Sequence, residues 1–256
     1  MFIDTHAHIY TEDFDDDLDL MLQRAGEAGI DEIYMPNIDQ HSIYRLMRVA
    51  KAYPQCLPMM GLHPCHVDDQ YKSQLDIVEK WLSEYTFCGI GEIGIDLYWE
   101  KKFQDQQIKA FRHQIQLAAE SKLPFVIHSR ESLDLTIDIV SELQKGQLTG
   151  IFHCFNGSID QAKKIIDLGF YLGIGGVITY KNAGVDKVVS SLPIDHMVLE
   201  TDAPYLSPVP YRGKRNESGY IALIAEKLSE IKEMSLGDIA IKTTENAKKV
   251  FSDTPK

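Results

Sequence analysis

Short apolar, β-branched segments alternate along the whole chain with segments of helical periodicity. Strand-like segments occupy residues 2–8, 31–36, 57–62, 86–92, 124–128, 149–154, 170–175 and 196–202. This alternation is typical of βα units on a parallel sheet, and eight such units in about 250 residues match a closed barrel. The pattern therefore predicts an α/β protein with a single (β/α)8 TIM barrel over residues 1–256.

The segments between the strands each carry one apolar stripe. Apolar residues recur three or four positions apart in residues 43–50, 108–118 and 133–143, which predicts helices there. Ser158-Ile-Asp-Gln161 has the pattern of a capping box, and Ser235 is a candidate cap of a last helix that ends near Phe251. Long loops are predicted at 93–102 and 203–217, both at the rim where barrel enzymes place their active sites.

Metal-ligating residue types stand at the C-terminal ends of five predicted strands. They are His6 and His8, Glu92, His128, His153 and Asp202. Imidazole and carboxylate groups bind divalent metals, and the set admits zinc, manganese or magnesium. Six ligands exceed what one four-coordinate zinc with an open position uses, whereas two metals sharing a carboxylate use them all. The pattern favours a hydrolase with two divalent metal ions.

Strand alternation extends this prediction to neighbouring carboxylates. In the first segment Asp4 should share an inward face with the two histidines, while Ile3, Thr5 and Ala7 face the helices. Asp4 is thus a candidate to orient a ligand. Glu200 shares its face with Asp202, so it either pairs with a cation or orients a ligand.

Two histidines and two cysteines lie close to this set in the sequence. His63 and His66, after the third strand, either contact a substrate phosphate, orient a ligand or have a structural role. Cys154 follows His153 directly, but strand alternation points its thiol away from that imidazole and disfavours a nucleophilic pair. Cys65 is more simply a free thiol than a reactive one.

Basic and aromatic residues occupy the two long loops and their surroundings. Arg212, Lys214 and Arg215 form a compact basic cluster, which is either a phosphate clamp beside the metals or a solvated loop. Arg130 is a second candidate for phosphate binding. Tyr98-Trp99 either stacks on a base or covers the mouth of the barrel.

Composition and charge narrow the class of function. The net charge of −12 argues against wrapping a long nucleic acid, but it permits an enzyme that binds only a chain end. The acidic run Asp15-Asp16-Asp17 reads as a solvated helix start. The four cysteines lack CxxC spacing and no apolar run is long enough to span a bilayer. With no leader pattern before Phe2, we expect a cytoplasmic protein without membrane contact or an obligate protein partner.

Seven motifs follow one another between residue 1 and about residue 251. They are Phe2-Ile-Asp-Thr-His-Ala-His8, Gly61-Leu-His-Pro64, Gly91-Glu-Ile-Gly-Ile-Asp96, His128-Ser-Arg130, His153-Cys-Phe-Asn-Gly157, Leu199-Glu-Thr-Asp-Ala-Pro204 and Arg212-Gly-Lys-Arg-Asn216. In type and order they resemble the TatD family of metal-dependent hydrolases, in the amidohydrolase superfamily. Asn156 stands where that family often has Ser, and Ser218-Gly219 where it often has Pro-Ala; neither is a ligand position.

The resemblance implies an amidohydrolase-type barrel and a role for each ligand. His6 and His8 would hold the first metal and His128 and His153 the second. Glu92 would bridge them, and Asp202 would bind a metal and take the proton of the attacking water. These ligand and catalytic roles are carried over from the family motifs.

The resemblance also implies a deoxyribonuclease, in particular an exonuclease with nucleic acid ends as its substrate. Other reactions stay open, because an activated water attacks carbonyl and phosphoryl centres alike. They include deacylation of D-aminoacyl-tRNA and hydrolysis of a small amide or lactone. A non-enzymatic metal-binding role would instead predict a biological effect that survives EDTA.

Overall fold

The computed structural model describes residues 1–99 and 101–251, and within them eight parallel strands alternate with helices. The strands are β1 (Phe2–Asp4), β2 (Ile30–Pro36), β3 (Cys56–Met59), β4 (Ile90–Asp96), β5 (Phe125–Arg130), β6 (Gly150–Phe152), β7 (Tyr171–Ile174) and β8 (Met197–Leu199). The helices are α1 (Leu18–Glu27), α2 (Ile43–Ala52), α3 (Tyr71–Glu84), α4 (Gln104–Ser121), α5 (Leu133–Leu143), α6 (Ile159–Asp167), α7 (Val185–Ser190), α8 (Ile221–Lys232) and α9 (Leu236–Phe251). The order confirms the predicted βα repeat.

Backbone hydrogen bonds join the strands into a closed barrel. The regular pairing runs through β1-β2-β3 and through β4-β5-β6-β7-β8. Between β3 and β4, the Gly91 amide donates to the Met60 carbonyl at 3.1 Å. Between β1 and β8, the Thr5 amide donates to the Leu199 carbonyl at 3.0 Å, and Ala7 forms a parallel bridge with Ala203. The fold prediction is therefore confirmed.

The fourth strand lies later in the chain than its predicted position. It was expected at 86–92, but β4 spans Ile90–Asp96, so Glu92 sits inside the strand and not at its end. Residues 93–102 were expected to form a loop. Gly94 instead serves strand pairing, since it is in register with His128 and a Cβ there would lie 1.9 Å from the His128 carbonyl oxygen. Its φ of +144° also favours glycine.

The N-terminal end of the barrel is filled with apolar side chains. Ile3, Tyr34, Val126 and Val198 pack there with the end of α9, and Phe251 stacks on Tyr34 with ring centroids 3.9 Å apart. A larger apolar cluster lies between the strands and the surrounding helices. Buried polar side chains lie at the C-terminal end of the barrel, where a cavity opens.

The helix starts follow the local signals in the sequence. Ser158 and Gln161 form the predicted reciprocal capping box at the start of α6. The Ser235 hydroxyl accepts from the Asp238 amide at 3.1 Å, so it caps α9 as expected. Among the described residues, no helix combines the length and hydrophobicity needed to cross a membrane.

Candidate metal centre

A cavity of about 980 Å³ opens at the C-terminal ends of the strands. Its walls include His8, Glu92, His128, His153 and Asp202. His6 lies just beneath the wall, fully buried, with its Nε2 3.1 Å from Glu92 and 3.5 Å from Asp202. The barrel thus brings the six residues predicted at the strand ends to one place.

Glu92 lies between two groups of histidines and turns one carboxylate oxygen toward each. Oε2 is 3.1 Å from His6 Nε2 and 3.3 Å from His8 Nε2. Oε1 is 2.9 Å from both His128 Nδ1 and His153 Nε2. One carboxylate therefore lies between the two imidazoles that follow β1 and a second pair, one from β5 and one directly after β6.

Tyr10 fixes the orientation of His8. The Tyr10 hydroxyl donates to the Pro36 carbonyl at 2.5 Å and lies 3.0 Å from His8 Nδ1. Because its own proton is already committed, the hydroxyl accepts the Nδ1 proton of His8. The Nε2 lone pair of His8 then faces His6 Nε2, 3.2 Å away. Tyr10 was not singled out in the sequence, although it continues the alternation of His6 and His8.

The β5 and β6 histidines also have partners on their outer sides. His128 Nε2 lies 2.9 Å from Asp96 Oδ2. His153 Nδ1 is 3.6 Å from Glu200 Oε1, which accepts from the Cys154 amide at 2.5 Å. Glu200 is fully buried and lies beside His153, consistent with the orienting alternative.

Asp202 stands in a strained backbone conformation at the edge of this cluster. Its φ of +57° lies in the left-handed region that is uncommon outside glycine and often occurs at functional sites. The conformation is held by hydrogen bonds from the Asp202 amide to His6 and from the Tyr205 amide to Asp202, both 2.8 Å. Burial raises the pKa of Asp202 to about 6.

The buried carboxylate and imidazole groups of this cluster shift one another's pKa values. Burial by itself would raise the pKa of Glu92, but the surrounding imidazoles of His153, His63 and His6 hold it well below its usual range. Burial lowers the pKa of His63 to about 4. Glu92 is thus an anion surrounded by potential ligands, an arrangement suited to cations.

Comparison with known proteins places the chain in a family. A model of the family described as TatD related DNase matches residues 3–252. The chain belongs to the TatD family. A protein of Bacillus subtilis (strain 168), named the uncharacterized metal-dependent hydrolase YabD, is 38% identical over 252 residues, covering 98% of this chain and 99% of that protein. The chain is accordingly a metal-dependent hydrolase.

Solved structures support the same fold. The crystal structure of YjjV, a TatD homolog from Escherichia coli K12, has a TM-score of 0.89 at 29% identity and covers 98% of both chains. An uncharacterized amidohydrolase from Saccharomyces cerevisiae has a TM-score of 0.81 at 17% identity, covering 98% of this chain and 99% of that one. The chain therefore has the barrel fold of a TatD homolog, and the yeast protein shares that fold.

The donor set of this TatD protein fits divalent metal ions. His6, His8 and Glu92 offer ligand atoms that all lie within 4.8 Å of one another, as do His6, His153 and Asp202, and also His63, Glu92 and His128. Two imidazole nitrogens that face each other attract only when a proton or a cation lies between their lone pairs. The cluster has the ligand types and spacing of a metal centre.

His63 belongs to the TatD centre more closely than its loop position indicated. Its Nδ1 accepts from the Cys65 amide at 3.1 Å, so the ring proton is on Nε2, which lies 3.4 Å from Glu92 Oε1. His66 lines the cavity farther out and pairs with Asp39 at 3.3 Å. The structure therefore favours a contact with Glu92 for His63 and an outer position for His66.

Asp4 does not face the imidazoles, contrary to the alternation argument. Its carboxylate accepts from the Thr201 amide at 2.9 Å, the Thr201 hydroxyl at 2.6 Å and the His6 amide at 3.3 Å. Regular strand geometry ends at Asp4, and the pairing of β1 shifts register between Phe2 and Ile3. Asp4 consequently supports the backbone of the ligand segments, and Ile3 packs inside the barrel.

The prediction for Cys154 is also wrong in its geometry. The residue lines the cavity, because β6 ends at Phe152 and Cys154 turns with a φ of +46°. Burial raises the pKa of the Cys154 thiol to about 12, so it stays protonated and is a poor nucleophile. Cys65 lines the cavity as well.

Two of the three clustered basic residues reach the cavity. Arg212 and Lys214 line it, and the Arg212 guanidinium lies 4.3 Å from the centre of the Tyr180 ring. Arg215 is absent from the lining and instead binds Asp17 through two hydrogen bonds of 2.6 and 2.8 Å. Arg215 is therefore not placed to bind a phosphate in the cavity.

Arg130 and two aromatic rings form a platform at the rim of the cavity. The Arg130 guanidinium lies 4.0 Å from the Tyr98 ring centre and 5.2 Å from that of Trp99, and the two rings are 50% and 67% exposed. A second groove of about 890 Å³ adjoins the cavity and shares Arg130 and Asn156 with it. The platform thus stands where the two depressions meet.

Proposed function

We propose that this TatD protein is a deoxyribonuclease that hydrolyses phosphodiester bonds at DNA ends with two divalent metal ions. The observation that carries the proposal is the position of Glu92, whose two oxygens face two separate groups of histidines. His6 and His8 would hold one ion and His128 and His153 the other. Glu92 would contact both, and Asp202 would complete the set.

Two bound ions would polarise the phosphoryl oxygens and lower the pKa of an attacking water. The protein supplies the remaining functions. Asp202 would accept the proton of the water while the new P–O bond forms. The P–O bond to the sugar oxygen of the leaving strand would break, with that oxygen taking a proton from solvent. His63 Nε2 lies 3.4 Å from Glu92 Oε1 and would help to hold this carboxylate in place.

The rim supports a nucleic acid as the substrate. Arg212, Lys214 and Arg130 place positive charge around the cavity of a protein whose net charge is −12. Such side chains bind phosphate, and exposed rings such as Trp99 stack on unpaired bases. The groove beyond Arg130 offers room for a second nucleotide. An acidic surface elsewhere suits contact with a chain end more than with a long duplex.

The experiment is a cleavage assay on purified protein. End-labelled single-stranded DNA, duplex DNA, RNA and aminoacyl-tRNA are incubated with zinc, manganese or magnesium, and products are resolved by length. We expect stepwise shortening of DNA that EDTA abolishes. An Asp202→Asn protein prepared in parallel controls for a contaminating nuclease. Release of the aminoacyl group with no change in any DNA would contradict the proposal and favour a deacylase.

A further inference from the structure

Asp96 joins the metal centre to the Tyr98-Trp99 loop through one buried carboxylate. Its Oδ1 accepts from the backbone amides of Tyr98 and Trp99, each at 2.9 Å, and its Oδ2 lies 2.9 Å from His128 Nε2. The residue is only 1% exposed. The predicted strand at 86–92 left Asp96 in a loop. In β4, Asp96 is four residues after Glu92 and therefore lies on the same inward face.

The backbone of Asp96 is held from the opposite side. The Asp96 amide donates to Gln107 Oε1 at 2.8 Å, and Gln107 Nε2 donates to the Asp96 carbonyl at 3.1 Å. Gln107 belongs to α4 and is fully buried. The backbone of Asp96 is consequently fixed between β4 and α4, while its carboxylate faces His128 and the Tyr98-Trp99 turn.

The geometry around His128 bears on which ring nitrogen carries the proton. Nδ1 lies 2.9 Å from Glu92 and Nε2 lies 2.9 Å from Asp96, and a carboxylate only accepts hydrogen bonds. With a cation between Nδ1 and Glu92, the one proton of the neutral ring is left to Nε2, where Asp96 accepts it. The Nδ1 lone pair is then free on the side of Glu92 Oε1 and His153 Nε2, at 2.9 and 3.3 Å. A metal ligand needs this lone pair, since a protonated nitrogen cannot bind a cation.

We propose that Asp96 is a positioning residue that fixes the tautomer of His128, so that Nδ1 is the atom presented to the metal. The inference rests on the metal centre proposed for His128, and it does not depend on DNA as the substrate. The same carboxylate accepts the hydrogen bonds of the Tyr98-Trp99 turn, so Asp96 connects this part of the rim to His128.

An Asp96→Asn variant separates these two roles. The amide has the same size, and its oxygen still accepts from Tyr98 and Trp99. Its NH2 group then faces His128 Nε2 and must donate, which makes Nε2 an acceptor and puts the ring proton on Nδ1. The opposite orientation of the amide would set NH2 against two backbone N–H groups. The variant therefore preserves the turn and selects the wrong tautomer.

Zinc binding by the full-length protein measures the effect. Each protein is stripped of metal and titrated with zinc against a chelating dye, which resolves strong and weak sites. We expect two zinc ions bound to the wild type, and an affinity about 10- to 100-fold lower for one of them in Asp96→Asn. Asp134→Asn is the matched control, because it makes the same change at an exposed carboxylate outside the metal cavity that accepts from Gln161; its affinities should not change.

A spectroscopic measurement tests the inference without any change at Asp96. In the zinc-loaded wild type with ¹⁵N-labelled histidine, the His128 ring proton should couple to Nε2, with the signal assigned by its loss in His128→Asn. A proton on Nδ1 would overturn the inference even if Asp96→Asn failed to fold. Unchanged zinc affinities in a folded Asp96→Asn would overturn it as well. A wild type that binds no zinc would instead overturn the metal centre itself.

Discussion

At the scale of single residues, Asp202 combines three unusual properties. Its side chain is 13% exposed at the wall of the cavity, its backbone is left-handed, and burial raises the pKa of its carboxyl group to about 6. Its Oδ1 lies 3.5 Å from His6 Nε2 and 3.7 Å from His8 Nε2, at the edge of the group and not between its members. In the proposed function, a carboxylate in that position would take a proton from water, while Glu92 would contact both metal ions.

Replacement of Asp202 by Asn should separate catalysis from metal binding. We expect hydrolysis to fall about 10²- to 10⁴-fold, because the general base is lost. Most of the metal should stay bound, because the four histidines and Glu92 are intact. His6→Ala, the comparison variant, should lose metal and activity together. Rate and metal content are measured on the same samples, and near wild-type turnover in Asp202→Asn would show that this carboxylate is not the base.

The basic cluster allows a second comparison, between Arg212 and Lys214, which line the cavity, and Arg215, which does not. The double change Arg212→Ala and Lys214→Ala should raise KM for DNA about 10-fold with a smaller effect on kcat, because phosphate contacts are made in both ground and transition states. Arg215→Ala, from the same cluster, should raise KM less, because its side chain binds Asp17 and the loop stays fastened through Arg24–Glu217 and Asn216. Equal effects on KM from both proteins would contradict the distinction.

At the scale of elements, the long segment after β8 is fastened to α1. Arg24 of α1 binds Glu217 through hydrogen bonds of 2.8 and 2.6 Å, and Arg215 binds Asp17 at the start of the helix. Asn216 is fully buried and donates to the Thr201 carbonyl at 2.7 Å. These contacts give a long loop a fixed course, so that Arg212 stays at the rim. Asp17 is thus a partner of two arginines and not part of a solvated helix start.

The Asp17 contacts predict a stability difference that depends on pH. Hydrogen bonding to Arg215, together with Arg24, lowers the pKa of Asp17 to about 2. A lowered folded-state pKa stabilises the protein above the ordinary value of about 4, and this contribution is lost as pH falls toward 2. Asp17→Asn should therefore reduce the free energy of unfolding by about 1 kcal/mol at pH 6 and by less at pH 3.

Urea unfolding at these two pH values measures the Asp17 contribution. Asp16→Asn provides the control, as the same substitution at an exposed neighbour. A stability loss in Asp17→Asn that grew on acidification would have the wrong sign and would reject the linkage to Arg215.

At the scale of the whole molecule, the two ends of the barrel have opposite character. The end of α9 closes the N-terminal opening with apolar side chains, whereas the C-terminal end collects buried histidines and carboxylates. Burying such groups without partners costs free energy. Bound cations would compensate for this cost, which couples the metal centre to the stability of the fold.

Metal removal should accordingly lower thermal stability. At a free metal concentration about 100-fold above Kd, binding contributes about 2.7 kcal/mol per site, which corresponds to a rise in Tm of about 5 to 10 °C in a chain of this size. Scanning calorimetry with zinc and then with EDTA measures the shift. His6→Ala should show a smaller response, and an equal response in both proteins would place the stabilising metal elsewhere.

The elements of the barrel follow from local physical chemistry. Apolar periodicity determined where strands and helices alternate, and the hydroxyl of Ser158 determined where α6 begins. Ligand types at strand ends also determined that a metal centre was to be expected, because parallel strands in a barrel bring their C-terminal ends together. None of these inferences needs knowledge of which side chains touch.

The partners of each side chain were decided by the tertiary structure. The position of β4 depends on the close approach of Gly94 to the His128 carbonyl. Asp96, which was predicted in a loop, therefore lies in β4 at the wall of the cavity. The separate roles of Arg212 and Arg215 depend on Asp17, which lies far away in sequence. Local periodicity records which face of an element is apolar, but the partner of a polar atom is set by three-dimensional packing. The sequence therefore determined the candidate ligand set, and the fold determined its orientation.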